Sequence, residues 1–168
     1  MRCNLFFQMQ LSKEKRHKIM ASIHSSGTKP ELLVRRFLFS RGFRYRLNSR
    51  LLPGRPDIVL KKYRTCIFIN GCFWHGHNCI EFRKPKSNEE YWNNKIEKNK
   101  IRDKEAQQRL AKLGWHCITI WECDLKNNVI QKTLESLAFT LNHIFLQDHS
   151  SPYLPLNEKY QTDKAAEP

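Results

Sequence analysis

The chain has 168 residues, 40% of them hydrophobic, with 30 Lys and Arg against 16 Asp and Glu, giving a net charge of +14 and a pI near 9.7. That length suits one domain and buries a core without needing disulfides. So large a basic surplus points to a polyanion, above all nucleic acid, and no run is apolar enough to span a membrane, so a cytoplasmic protein is expected.

Residues 1–11 hold a short apolar patch, Leu5-Phe6-Phe7, without the pattern of a secretion signal, and read as a disordered extension. The main domain is expected over 12–147. It opens with a basic arm at 12–27, suited to a phosphate backbone. Within residues 1–50, twelve Lys and Arg face only Glu14 and Glu31.

Thr28-Lys29-Pro30-Glu31 has the spacing of a capping box, with Pro in the first turn. Leu32, Leu33, Val34, Phe37 and Leu38 then recur at helical intervals, and the helix should stop near Gly42. Phe43–Leu47 alternates as a strand. Ile58–Leu60 and Thr65–Ile69 read as two more, joined at hairpin length. Residues 71–88 lack a period and form a loop. A long helix follows over about 89–113, with Trp92, Ile96, Ala106, Leu110 and Leu113 inward and Gly114 as its stop. Trp115–Glu122 is a strand. A last helix over about 128–146 uses Ile130, Leu134, Leu137, Leu141 and Ile144, and residues 148–168 read as a disordered tail. The order α-β-β-β-α-β-α describes an α/β layer.

The six cysteines cluster with histidines, which favours a metal over disulfides. Cys72, His77 and Cys79 have the spacing C-x4-H-x-C, and Cys123 arrives at a strand end where it can close a tetrahedron. Three thiolates and one imidazole make a closed structural zinc set rather than a magnesium site. His75 competes with His77 for that place on spacing alone. Cys66 and Cys117 sit in mid-strand and read as small core residues.

Asp57 begins a strand after Gly54-Arg55-Pro56. An acid there, with a second strand a dozen residues on, is the layout of restriction-endonuclease-like nucleases, in which the acid holds Mg2+. The second strand ends Phe68-Ile69-Asn70, without the usual acid and Lys, so a metal would take backbone carbonyls and water. His75 can deprotonate water near neutral pH. Glu31 is accounted for by the capping box. Phe73, Trp74 and Trp92 lie near the Cys/His cluster, and aromatic wedges can part a base step.

These residues together resemble the very short patch repair endonucleases. The match runs from about Lys13 to Leu125. It takes in Thr28-x-x-Glu31, Leu52-Pro-Gly-Arg-Pro-Asp57, Gly71-Cys-Phe-Trp-His75, Trp92, Lys95-x-x-x-Asn99, Arg102-Asp103 and Trp121-Glu-Cys123. The resemblance implies a PD-(D/E)xK-type single domain, a mixed sheet flanked by helices, with one structural zinc. It implies Mg2+-dependent nicking of double-stranded DNA on the 5′ side of the T in a T:G mismatch. Asp57 and the Ile69 carbonyl would hold magnesium, His75 would be the general base, and Glu31 and Asn70 would complete the catalytic set. Zinc would fall to Cys72, His77, Cys79 and Cys123. Phe73, Trp74, Trp92, Lys95, Asn99 and Arg102 would contact DNA, and the basic arm with Met20 would clamp the opposite groove. Expected partners are the mismatched duplex, an associated cytosine methyltransferase and mismatch-repair proteins, with the protein itself a monomer. The best-known family members carry Thr-His where this chain has Ile69-Asn70; Ile69 keeps the carbonyl, but Asn70 cannot take a proton. Two other readings stand beside this one: a nuclease with a different target, and a zinc-stabilised DNA-binding module without catalysis.

Overall fold

The computed structural model describes residues 12, 14, 15, 26–83, 85 and 88–150. The expectations for the N-terminal extension, for most of the basic arm with Met20, and for residues 151–168 lie outside them. Helix α1 (Lys29–Ser40) starts as its sequence dictates. Thr28 accepts from the Glu31 N–H, and the Glu31 side chain answers with the Thr28 backbone. Val34 and Leu38 are fully buried on its inner face, while Leu32, counted in the same apolar period, is 41% exposed.

The sheet has the order β1-β2-β3-β4, formed by Arg46–Leu47, Ile58–Leu60, Thr65–Asn70 and His116–Trp121. β1, β2 and β3 pair antiparallel, and β3 runs parallel to β4. β1 is shorter than the alternating pattern over Phe43–Leu47 predicts. The Phe43 N–H is taken by the Leu38 carbonyl, and the Tyr45 hydroxyl donates to the Arg35 carbonyl, so pairing begins only at Arg46. The link between β2 and β3 is a 3-10 turn, Lys61–Tyr63, closed by Arg64 at φ 43°. β4 starts one residue later than expected because the Trp115 N–H is spent on the Leu110 carbonyl at the helix end.

Helix α2 (Glu89–Lys112) lies on one face of the sheet and buries Ile96, Asn99, Ala106 and Leu110. That spacing is a helical stripe. Leu113, expected inward, is its C-cap and is 55% exposed. Helix α3 (Ile130–His149) begins after a 3-10 turn and reaches His149, so Asp148 and His149 belong to a helix rather than to the tail. Its Leu134, Leu137 and Leu141 pack with Val34, Leu38, Ile58, Ile67 and Ile120 on the opposite face of the sheet. Truncating one fully buried leucine here to alanine costs about 2–5 kcal/mol. The sheet thus separates an apolar core under α1 and α3 from a more polar layer under α2. No helix among the described residues is long and apolar enough to cross a membrane.

Candidate active site and metal centre

The loop after β3 is placed by α2. The Asn99 amide, 8% exposed, donates to the Trp74 carbonyl at 2.8 Å. Asn99 is therefore committed to the loop and is turned away from an outside ligand. Gly76 has φ +59°, and a Cβ there would lie 2.5 Å from both Ile96 Cγ2 and Lys100 Cε. Only glycine lets the loop lie this close to the helix while the chain turns between His75 and His77.

His77 turns to the thiols. Its Nδ1 lies 3.6 Å from Cys72 Sγ and 3.5 Å from Cys123 Sγ, and the donor atoms of Cys72, His77, Cys79 and Cys123 all lie within 4.8 Å of one another. The ring stacks on Trp121 at 4.1 Å between centroids, nearly parallel, which fixes its plane. Burial pushes the Cys123 thiol up to about 12, and the neighbouring Cys72 sulfur acts in the same direction. A cation among the four reverses that preference, because a coordinated thiol ionises. The group can hold a metal ion, and His77 rather than His75 is the imidazole that belongs to it. Cys66 and Cys117 face each other across β3 and β4, away from this group, as small core residues.

His75 turns the other way. Its Nδ1 is hydrogen-bonded to the Asp103 carboxylate on α2. Such a carboxylate fixes the tautomer with Nδ1 protonated and leaves Nε2 to act on a substrate. From sequence, Asp103 enters only as part of the Arg102-Asp103 motif, with no task assigned to it. The available signal was an acid on the inner stripe of α2, four residues after Asn99 and seven after Ile96.

Asp57 sits at the head of β2, where the Ile69 N–H donates to its Oδ2 at 2.8 Å. Oδ1 has no hydrogen-bond partner among the described residues. In a strand a residue's N–H and C=O project to the same side, so the Ile69 carbonyl faces the same gap as Asp57. Burial raises the Asp57 pKa from 3.8 to about 6. The Ile69 N–H pulls it down, the Glu31 charge pushes it up, and Arg35 and His75 pull it down. A half-buried carboxylate with one free oxygen, a carbonyl beside it and a raised pKa is a fitting seat for a hard divalent cation.

Glu31 is 3% exposed and fully engaged. It accepts from the Gly27 N–H at 3.0 Å, the Thr28 hydroxyl at 3.0 Å and Arg35 Nη2 at 2.6 Å. It reaches Asp57 through its charge rather than through a free oxygen. Arg35, unremarked in the sequence, balances that charge. Asn70 ends β3 opposite Trp121 and is 8% exposed.

Phe73, Trp74 and Trp92 form a half-buried aromatic trio with centroids 5.1, 5.2 and 6.0 Å apart, all edge-on. Tyr91, 60% exposed, extends it outward. Lys95 and Arg102 are exposed along one flank of α2. The structure thus brings Asp57, Ile69, Asn70 and His75 to one end of β3, and gathers Cys72, His77, Cys79 and Cys123 into a separate group that could hold a metal.

Residues 9–81 match the family model for the DNA mismatch endonuclease Vsr. A type II nicking enzyme of Neisseria meningitidis serogroup A is 53% identical over 116 residues, 69% of this chain and 83% of that protein. The DNA mismatch endonuclease Vsr of Escherichia coli is 41% identical over 114 residues, 68% of this chain and 73% of its own length. A type II nicking enzyme of Lentzea aerocolonigenes is 36% identical over 135 residues, 77% and 78% of the two chains.

Proposed function

The chain belongs to the Vsr family of DNA mismatch endonucleases, hydrolytic DNA nucleases, and from that premise we propose that it nicks double-stranded DNA on the 5′ side of the T in a T:G mismatch, with Mg2+ as catalytic metal and Zn2+ as structural metal. One observation carries this reading: the half-buried Asp57 and the His75–Asp103 pair lie together at the end of β3, with an aromatic trio in the same loop region. The mixed sheet with an acid at the head of β2 accords with the PD-(D/E)xK class.

Zinc suits the Cys/His group on distance. Arms of about 2.3 Å to sulfur and 2.0–2.1 Å to nitrogen at tetrahedral angles put N and S about 3.6 Å apart, and the two measured separations are 3.6 and 3.5 Å. Four protein donors would leave a tetrahedral ion no open position, so a metal held here would serve as a staple.

The Asp57 carboxylate and the Ile69 carbonyl would hold magnesium, whose charge stabilises the phosphate as it gains negative charge and makes nearby water more acidic. His75 accepts the proton of the attacking water at Nε2. Asp103 keeps the ring in the required tautomer and stabilises the imidazolium that results. Asn70 cannot carry a proton, so proton transfer rests on His75. Glu31 and Arg35 set the charge around Asp57 from α1. Phe73, Trp74 and Trp92 enter the duplex at the mismatch, where unstacking costs less than at a paired step. Lys95 and Arg102 hold phosphates, Asn99 acts through the loop it anchors, and the basic arm with Met20 reaches the other groove. A cytosine methyltransferase and mismatch-repair proteins are the expected partners in the cytoplasm, with a monomer sufficient for one nick.

A single-turnover nicking assay with a Mg2+ titration tests the site. Asp57→Ala should bind the mismatched duplex as wild type does and fail to cut it at any Mg2+ concentration. Normal cutting by that variant would place the metal elsewhere.

A further inference from the structure

β3 is flanked by β2 on one side, where Asp57 lies, and by β4 on the other. On the β4 side is an open cleft of about 400 Å³, floored by Asn70 and Thr119 and rimmed by Lys100, Lys104 and Gln107 of α2. His75 and Asp103 form its shared wall with the active site. Three observations show unspent binding capacity there. Asn70 is more than nine-tenths buried, lines the cleft, and has no hydrogen-bond partner for its carboxamide among the described residues. Lys100 and Lys104, four residues apart on one helix face, make no ion pair among the described residues, a repulsive arrangement in a helix. The acid between them, Asp103, is already held by His75. Lys100 is also placed, since its Cε would lie 2.5 Å, and its Nζ 3.1 Å, from a Cβ on Gly76.

We propose that this cleft is an anion subsite in which Asn70, Lys100 and Lys104 hold a phosphodiester group of the DNA strand next to the one that is cut. The proposal rests on the nuclease reading. The Asn70 amide donates to a non-bridging oxygen, the two ammonium groups supply the charge, and the ligand relieves their repulsion. The cleft is open along β4, the free edge of the sheet, which lets a continuous strand pass rather than enclosing a small anion. Because His75 is the wall between cleft and active site, the phosphate held here is an immediate neighbour of the scissile one. On α2 these lysines occupy the flank opposite Lys95 and Arg102, so the helix would touch the backbone along both edges.

A binding cycle tests this without any cutting. Zinc-loaded Asp57→Ala protein is compared with the same protein carrying Lys100→Ala and Lys104→Ala. Each is titrated with duplexes in which one phosphate flanking the nick is a neutral methylphosphonate. The expected result is one position whose neutralisation weakens the parent about tenfold and the lysine variant not at all. The lysine variant should also show a salt slope lower by about one. Equal weakening of both proteins at every position would overturn the subsite. So would stabilisation of the parent alone by orthophosphate with no sensitive methylphosphonate position, which would make the cleft a site for free anions. Failure of the nuclease reading shows up separately, as intact duplex with wild-type protein and Mg2+.

Discussion

His75 and His77 stand two residues apart in one loop, on either side of Gly76, and face opposite surroundings. His77 meets three thiols and a stacked indole, and its ring nitrogen and the three sulfurs lie close enough together to share one metal ion. His75 meets one carboxylate through Nδ1, and its Nε2 has no hydrogen-bond partner among the described residues. The first arrangement is closed and holds the loop; the second is open and can act on a substrate. Two identical side chains thus meet different partners, one set suited to a structural task and the other to the catalytic task proposed for His75.

The comparison breaks most sharply at the thiols. Cys123→Ser should lose the metal and cost of the order of 5 kcal/mol or more of stability, because structural zinc binding is folding free energy. Metal analysis and thermal unfolding would show it, and a stable, metal-replete variant would refute the ligand assignment. Next comes Asp57→Ala, expected to abolish detectable nicking, a loss of at least about 10³-fold, while zinc content and midpoint stay near wild type. His75→Ala should slow nicking about 10²- to 10⁴-fold with the zinc intact, and Asp103→Asn should do the same to a lesser degree. If His75→Ala lost zinc instead, the two histidines would have been assigned the wrong way round.

Smaller effects follow from pH. Asp57 holds its proton more tightly in the folded protein than in the unfolded chain between pH 3.8 and about 6. Without added divalent metal, its contribution to stability should therefore fall as pH rises through that window and level off above it. Asp57→Asn should abolish that slope and modestly raise the midpoint at pH 7–8, read by thermal melts across pH. Nicking should rise over the same range as the carboxylate forms, and a competing cation should move that rise to lower pH. Phe139→Ser, on the 73% exposed outer face of α3, should change stability by less than about 0.5 kcal/mol and leave nicking alone.

What the sequence made legible was local. The capping box at Thr28–Glu31, the C-x4-H-x-C spacing and the stripe of α2 each depend on residues a few positions apart, and each reappears in the structure. Less legible were contacts between distant segments. His75 and Asp103 are 28 residues apart, and their meeting depends on how the loop lies against α2, which Gly76 and Asn99 decide. The choice between His75 and His77 has the same origin, since spacing allowed either. β1 was overestimated because Phe43 and Tyr45 alternate correctly but spend their polar groups on α1. Leu113 fits the helical period yet falls at the cap, where the chain turns outward. The task of Arg35 was hidden for a different reason: its spacing from Glu31 suggests an ordinary surface pair, and only burial beside Asp57 shows that the pair shapes the site.

The most direct measurement uses end-labelled duplexes that differ only by one T:G or T:A pair, incubated with wild-type protein with and without Mg2+. The account predicts a single Mg2+-dependent nick on the 5′ side of the mismatched T, with the T:A duplex left intact. Equal cutting of both duplexes, or cutting without a divalent metal, would contradict it.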